Sequence, residues 1–324
     1  MKAFVTGGTG FIGSHLVEAL LDSGQYSEVR CLVRNNEKWL SGLKYKKITG
    51  DLNDLKTLGN ALEGVDVLFH VAAIVKAPTK KEFTRANVEA TENLVRLAQK
   101  KGVTNIVILS SLAAAGPSHG SPKIESDPME PVSMYGRSKK EMEDRISKIS
   151  THDESIKIIR PPAVYGPRED QIYSFFKSCS KGLCPIIGDG NKPKVSMVYV
   201  SDLVDGIIHA ADKMDPGVFT YFISGEGTHS WNEIRHITSK VLGKKTIPLK
   251  IKPGLVKKAA ALIENISSLF GIYPVVNKEK ANELILEWTC SSDKAQNEIG
   301  YMPKTSLEEG ISRTIHWYKI HNWL

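Results

Sequence analysis

Lys2-Ala3-Phe4-Val5-Thr6-Gly7-Gly8-Thr9-Gly10-Phe11-Ile12-Gly13 opens the chain, and Ser14-His15-Leu16-Val17-Glu18-Ala19-Leu20-Leu21 follows directly. A β-rich apolar run, glycines at 7, 10 and 13, and an apolar-periodic run read as strand, turn and helix. Gly7 permits the tight turn, Gly10 removes a Cβ where backbone would approach a pyrophosphate, and Gly13 lets the helix lie close to the strand. The free N–H groups at the helix start then face the anion. Residues 1–21 read as a dinucleotide site. Spacing alone also fits a glycine-rich turn without a ligand, so the rest of the chain has to decide.

Outward from that turn, β-rich segments recur at Ala3–Thr6, Val29–Val33, Lys46–Thr49, Val65–Val71, Ile106–Ser110, Ile156–Arg160 and Val218–Ile223. Helical patterns lie between them, among them Ala86–Lys101 and Ser138–Ser150. Apolar strands separated by helical crossovers predict an α/β fold, a doubly wound parallel sheet covered on both faces. Ligands of such sheets bind beyond the carboxyl ends of the strands. Thr6–Gly13, Arg34, His70–Ala73, Ser110–Ser111 and Pro161–Gly166 should therefore meet in one crevice. Past residue 166 the alternation fails: Gly182, Pro185, Gly188, Gly190 and Pro193 precede a strand-like Val195–Val200, and the last hundred residues look mainly helical. The expected division is a nucleotide domain of 1–165 plus 192–223 and a smaller substrate lobe of 166–191 plus 224–324. In that lobe Leu255, Ala259, Leu262, Ile266 and Leu269, with Val256, Ile263 and Phe270 beside them, predict an amphipathic helix covering the lobe core. Its basic face also suits contact with a membrane surface.

Hydrophobic residues at 41% and charged residues at 24% of 324 are those of an ordinary folded protein. No signal-like leader and no apolar run of spanning length is visible, so a cytoplasmic protein without a membrane span is expected. Cys31, Cys179, Cys184 and Cys290 lack metal-ligand or Cys-x-x-Cys spacing and read as reduced, mostly buried side chains, with no bridge expected between Cys179 and Cys184. No metal site is proposed: His15 and His70 read as packing or hydrogen-bonding residues, and His119 lies in a Gly-Pro-Ser-His-Gly turn. The net charge is +7, and the seven lysines between Lys240 and Lys258, where no acid intervenes, equal the whole excess. Such a run could meet anionic lipid, nucleic acid or a phosphorylated substrate. Without interleaved aromatics for base stacking it reads as a solvated basic surface, and no nucleic-acid partner is expected.

Two further places carry chemistry. Arg34 ends the second strand where an NAD-preferring enzyme would place an acid for the ribose 2′-hydroxyl; its cationic fork favours a 2′-phosphate and hence NADP, with NAD the alternative. The lesser reading is a solvated surface charge. Asp51 closes the third strand and could contact the adenine amino group or cap the helix beginning near Asn53 and Asp54. Tyr135-Gly136-Arg137-Ser138-Lys139 puts a phenol and an ammonium on one helical face. A tyrosine near pKa 10 is a poor base at neutral pH, and a neighbouring Lys⁺ favours its phenolate. Ser111, at the end of the preceding strand, offers a hydroxyl to hold the substrate oxygen that Tyr135 would protonate.

Thr6–Gly13, His70-Val71-Ala72-Ala73, Asn87, Ser111, Tyr135 with Lys139, and Arg160-Pro161-Pro162-Ala163-Val164-Tyr165-Gly166-Pro167 together resemble the extended short-chain dehydrogenase/reductases, the NAD-dependent epimerase/dehydratase family. Tyr199–Leu203 and Ser230–Ile234 look like late segments of the same family. The resemblance implies a Rossmann-type sheet with a smaller, mainly helical C-terminal substrate lobe. It implies Tyr135 as general acid/base, Lys139 as the group that lowers its pKa and binds the nicotinamide ribose, and Ser111 as the residue orienting the carbonyl. Asn87 would hold a water relay behind the lysine, or merely cap or kink its helix. Thr6, Gly7, Gly10, Phe11, Ile12 and Gly13 would line the dinucleotide from the first turn. Arg34, Asp51 and Leu52, Ala72, and Pro161 and Val164 would complete its site from the following strands. A homodimer formed through the helix bearing Tyr135 is likewise implied.

Departures from the family pattern narrow the branch. Leu112-Ala113-Ala114-Ala115 follows Ser111 where sugar-nucleotide dehydratases carry an acid, and Lys194-Val195-Ser196-Met197 stands where epimerases often carry Arg-Asp. The chain is closer in pattern to the dihydroflavonol-reductase and 3β-hydroxysteroid-dehydrogenase branch. That implies hydride transfer between a nicotinamide cofactor and a small-molecule secondary alcohol or ketone. A nucleotide-sugar epimerase with retained NAD is the alternative, and a nucleotide-binding redox sensor without chemistry a remote one.

Overall fold

In a computed structural model that describes residues 1–256, 258, 260 and 278–324, the first strand lies inside a seven-stranded parallel sheet. The strands are β1 (Lys2–Thr6), β2 (Glu28–Val33), β3 (Lys46–Thr49), β4 (Val67–His70), β5 (Asn105–Leu109), β6 (Ser155–Arg160) and β10 (Gly217–Phe222), in spatial order β10-β6-β5-β4-β1-β2-β3. The order reverses at β1, which pairs with β2 on one side and β4 on the other. That reversal opens the crevice beyond the carboxyl ends. This is the Rossmann-type architecture read from the seven β-rich segments.

Strand alternation divides the core. Ala3 and Val5 face one layer with Leu16, Val17 and Leu20 of α1 (Phe11–Asp22) and Leu203, Val204 and Ile207 of α8 (Val200–Asp212). Phe4 faces the other layer with Leu94, Val95 and Ala98 of α4 (Ala90–Lys100) and Met142 and Ile146 of α6 (Met134–Ile149). At about 25 cal/mol per Å² of apolar area removed from water, burial on both faces is the main term holding the sheet.

Three readings need correction. The pattern at Ala86–Lys101 is not regular helix throughout: Thr84–Glu89 forms a π-helical turn before α4. Val195–Val200 contains a strand, β9 (Met197–Tyr199), but it pairs with β7 (Ala163–Tyr165) in a separate two-stranded sheet. Cys179 and Cys184 are joined in a disulfide, because the turn through Gly182 (φ 91°) from α7 (Tyr173–Ser180) into β8 (Leu183–Ile187) brings their Cα atoms to 4.7 Å. Cys31 and Cys290 are free and buried. The helix read at Ala259, Leu262, Ile263, Ile266, Leu269 and Phe270 lies outside the described residues.

The C-terminal part packs a third cluster, in which Phe176, Ile234, Ile311, Ile315 and Tyr318 meet Tyr165 and Tyr199 of the small sheet. Helix α9 (Trp231–Leu242) starts at Trp231; Ser230 caps it by accepting from the Glu233 amide at 3.1 Å, and the Trp231 ring lies 5.5 Å from that of Phe175. No described helix is long and apolar enough to cross a membrane.

His70 ends β4 fully enclosed, its ring bonded to Thr6 Oγ1 at 2.7 Å and to Thr91 Oγ1 at 2.8 Å. Burial, aided by the charge of Lys139, pushes its pKa down to about 3. Folding therefore requires the neutral ring, and the stability it confers is complete above pH 6.5 and lost as pH falls toward 3. Urea titrations should show wild-type stability falling by up to about 1.4 kcal/mol per pH unit more steeply below pH 6.5 than in His70→Asn. Parallel curves for the two proteins would refute this.

Candidate active site

The first turn is shaped by what its glycines exclude. A Cβ on Gly7 (φ 77°) would sit 2.6 Å from the Ala72 amide nitrogen, so the turn lies directly against the loop leaving β4. A Cβ on Gly13 would be driven into the Gly7 carbonyl. On Gly10 it would meet only that same carbonyl, at 3.2 Å. Gly10 is the residue before α1; it offers no side-chain cap, and the first helical turn holds no acid. Backbone donors of Phe11, Ile12 and Gly13 at a helix N-terminus, with no Cβ in front of them, fit a diphosphate.

Arg168 is a residue the sequence reading missed. It adopts φ 73°, donates to Ser14 Oγ at 2.9 Å and Glu18 Oε1 at 2.6 Å, and lies over the Trp39 ring at 5.4 Å. It brings a guanidinium to α1 from a segment 154 positions away. Only its place just after Tyr165-Gly166-Pro167 could have signalled it.

At the end of β2, Arg34 is exposed, and no hydrogen bond or ion pair holds it among the described residues. Asp51 accepts from the Asn53 amide at 2.7 Å, while Asp54 caps the helix that follows, Leu55–Ala61, by accepting from the Thr57 amide at 3.0 Å. Of the two readings of Asp51, the capping one belongs to Asp54. Leu52 packs on the second core layer and Val164 on the first, and the Pro161 carbonyl accepts from the Leu112 amide at 2.9 Å.

Ser111 and Tyr135 come together. Ser111 caps a short helix, Leu112–Ala115, accepting from the Ala113 amide at 3.1 Å, and its hydroxyl lies near enough to the Tyr135 phenol to draw its pKa down. What lets α6 approach so closely is Gly136, where a Cβ would run into the Ala113 carbonyl. Ser133 caps α6 by accepting from the Gly136 amide at 3.2 Å. One turn on, Lys139 is buried and donates to the Leu109 carbonyl at the end of β5, at 2.7 Å. Burial pushes its pKa down to about 8 against the upward pull of Glu143. Burial also lifts Tyr135 to about 12, against the lowering influence of the nearby Ser111 hydroxyl.

Asn87 sits in the π turn, and it clamps the loop after β4 by accepting from the Ile74 amide and donating to the Ile74 carbonyl, each at 2.9 Å. It also reaches Ser138 Oγ at 3.1 Å. It therefore touches the helix of Lys139 one residue before the lysine.

Behind Lys139 lies a group the sequence reading passed over. Glu143, four residues along α6, accepts from Ser110 and from Arg160 Nε at 3.1 Å, and the pair is almost wholly buried. The i, i+4 spacing from Lys139 was its only signal. From the C-terminal part, Glu279 accepts from the Met134 amide at 3.0 Å and from Arg137 at 2.7 Å. Glu283 is near enough to push the Tyr135 pKa up.

With this geometry established, comparison identifies the class. Residues 3–221 match the NAD dependent epimerase/dehydratase family, and the chain belongs to it, within the extended short-chain dehydrogenase/reductases. It is 30% identical to the ceramide reductase of Caulobacter vibrioides, over 99% of this chain and 95% of that protein. It is 26% identical to a 3-beta-hydroxysteroid dehydrogenase of Mycolicibacterium neoaurum, over 98% and 91% respectively. The dTDP-glucose 4,6-dehydratase DesIV of Streptomyces venezuelae, solved with NAD and TYD bound, superposes with a TM-score of 0.81 at 26% identity, covering 100% of this chain and 98% of its own.

Removing the Glu143 charge tests the buried network. Glu143→Gln leaves Arg160 without its counter-charge, and breaking one side of a buried pair costs about 3–5 kcal/mol in urea denaturation. Losing the upward pull on Lys139 should also shift the alkaline limb of the pH profile to lower pH. An unchanged denaturation midpoint and profile would show the network to be inert.

Proposed function

We propose that the protein is an NADP(H)-dependent oxidoreductase interconverting a secondary alcohol and a ketone on an apolar substrate. The observation carrying this is the nearness of Ser111 to Tyr135, set one helical turn from buried Lys139 at the carboxyl ends of the strands. In this reading residues 1–165 with 192–223 bind the nucleotide and 166–191 with 224–324 form the substrate lobe.

When bound, the nicotinamide supplies or accepts the hydride. Ser111 holds the carbonyl oxygen, and Tyr135, protonated at neutral pH with its pKa raised, donates its proton to that oxygen in reduction. In oxidation Tyr135 accepts the proton, and the Lys139 ammonium stabilises the phenolate; Asn87 holds the far side of that helix turn through Ser138. Thr6, Gly7, Gly10, Phe11, Ile12 and Gly13 cradle the diphosphate. Asp51, Leu52, Ala72, Pro161 and Val164 line the rest of the dinucleotide, and Arg34, free of any partner among the described residues, takes a 2′-phosphate.

The apolar substrate class rests on what surrounds Ser111. Leu112, Ala114 and Ala115 are buried where a dehydratase needs an acid, and two relatives are named for a ceramide and a steroid.

Tyr135→Phe should lower kcat by about two to four decades while fluorescence titration with NADPH stays unchanged; full turnover would overturn the assignment. Arg34→Ala should weaken NADPH by about ten- to a hundredfold and leave NADH within a factor of a few. Protein that purifies with tightly held NAD and consumes no added NADPH would be the epimerase instead.

A further inference from the structure

The substrate lobe carries an apolar sheet face that nothing among the described residues covers. Strand β11 (Ile247–Ile251) pairs with β8 in parallel, with Ile247 opposite Leu183, Leu249 opposite Pro185 and Ile251 opposite Ile187. Successive residues of a strand point to opposite faces. Cys184 and Ile186 therefore turn inward and are buried, while the six residues named above share the outer face. Ile247 is 66% exposed, Leu249 52% and Leu183 48%, and the other three are half-buried. In a water-soluble surface, contiguous aliphatic side chains of this kind mark an interaction site.

The charge around the ribbon names the partner. Because the strands are parallel, exposed Lys181 before β8 and Lys244 and Lys245 before β11 gather at the same end, while Lys250, opposite Ile186, projects from the other face of the ribbon. Between residues 240 and 258 there is no acid. Asp189 lies near Lys250, and Glu308 is paired with Lys240. A second copy of the chain related by a two-fold axis would set these lysines against their own counterparts. Aliphatic side chains bordered at one end by a cluster of ammonium groups match a membrane interface, where the former reach the acyl boundary and the latter meet phosphates.

We propose that the β8–β11 ribbon docks the protein on an anionic lipid bilayer. The proposal rests on the apolar-substrate reading above, since a lipophilic ketone or alcohol resides in the bilayer, and it places the substrate lobe against that reservoir.

Flotation with vesicles tests it independently of catalysis. Wild-type protein should partition onto vesicles of phosphatidylcholine with about one-third phosphatidylglycerol at least about tenfold more strongly than onto phosphatidylcholine alone, and high salt should weaken the difference. The double variant Ile247→Asp, Leu249→Asp, at two exposed positions, should lose about tenfold of that binding while keeping its NADPH titration. Equal binding by both proteins, or binding by neither, overturns the proposal, the latter meaning that the face is covered within the chain. A wild-type dimer that the double variant dissolves to monomer, without vesicle binding, overturns it in favour of a second copy. Because NADPH titration and turnover are measured without vesicles, failure here leaves the oxidoreductase reading standing, and the converse also holds.

Discussion

One buried carboxylate joins the parts of the site. Glu143 accepts from Ser110 at the end of β5 and from Arg160 at the end of β6, while its own helix carries Tyr135 and Lys139. A buried charge without a partner is strongly unfavourable, so all three segments are held to the geometry that satisfies it. Ser111 follows Ser110 directly, and Pro161 follows Arg160. Fixing the ion pair therefore fixes where the serine hydroxyl, the phenol, the ammonium and the carbonyl of Pro161 lie relative to one another. The pair's stabilising effect is small beside that of the core; its effect is to specify an arrangement.

Close packing does the complementary work, because both critical approaches are made by glycines that permit contact rather than flexibility. Gly136 lets α6 lie on the Ala113 carbonyl, and without that approach Tyr135 would stand off from Ser111. Gly13 lets α1 lie on the Gly7 carbonyl, which aims the helix N-terminus at the crevice. In each case an added methyl group would need backbone to move, and tightly packed interiors resist such shifts.

The sheet was legible because its signal is local: seven apolar, β-branched runs with helical spacing between them need no partner to be recognised. The hydroxyl pair was legible for the same reason, since Tyr135 and Lys139 are one helical turn apart and Ser111 ends a strand. What stayed hidden depends on distance in sequence or on backbone conformation. Arg168 reaches α1 only through the third dimension and a positive φ, which an arginine rarely adopts. Glu143 looked like one more acid on a charged helix, because its burial is decided by Arg160 on another element. The strand at Val195–Val200 was visible, but its partner β7 was not, since pairing preferences are set by neighbours rather than by the strand itself. Asp51 and Asp54, three residues apart, present the same chemistry in sequence. Only the hydrogen bond to Thr57 separates them.

The electrostatics of the crevice follow from these constraints. Two titratable side chains are enclosed side by side near the end of β4 and β5, and burial disfavours charge on both. Each also raises the cost of charging the other, and the outcome is asymmetric because only Lys139 has a carboxylate nearby. Glu143 keeps the ammonium charged at neutral pH, while His70, bonded between two threonine hydroxyls, stays neutral. A positive charge is thereby kept at Lys139, one helical turn from Tyr135. If both groups were charged, their repulsion across an apolar interior would separate the strands that carry the site. The fold therefore holds one group charged and the other neutral through the placement of Glu143 and of the two threonines, Thr6 and Thr91.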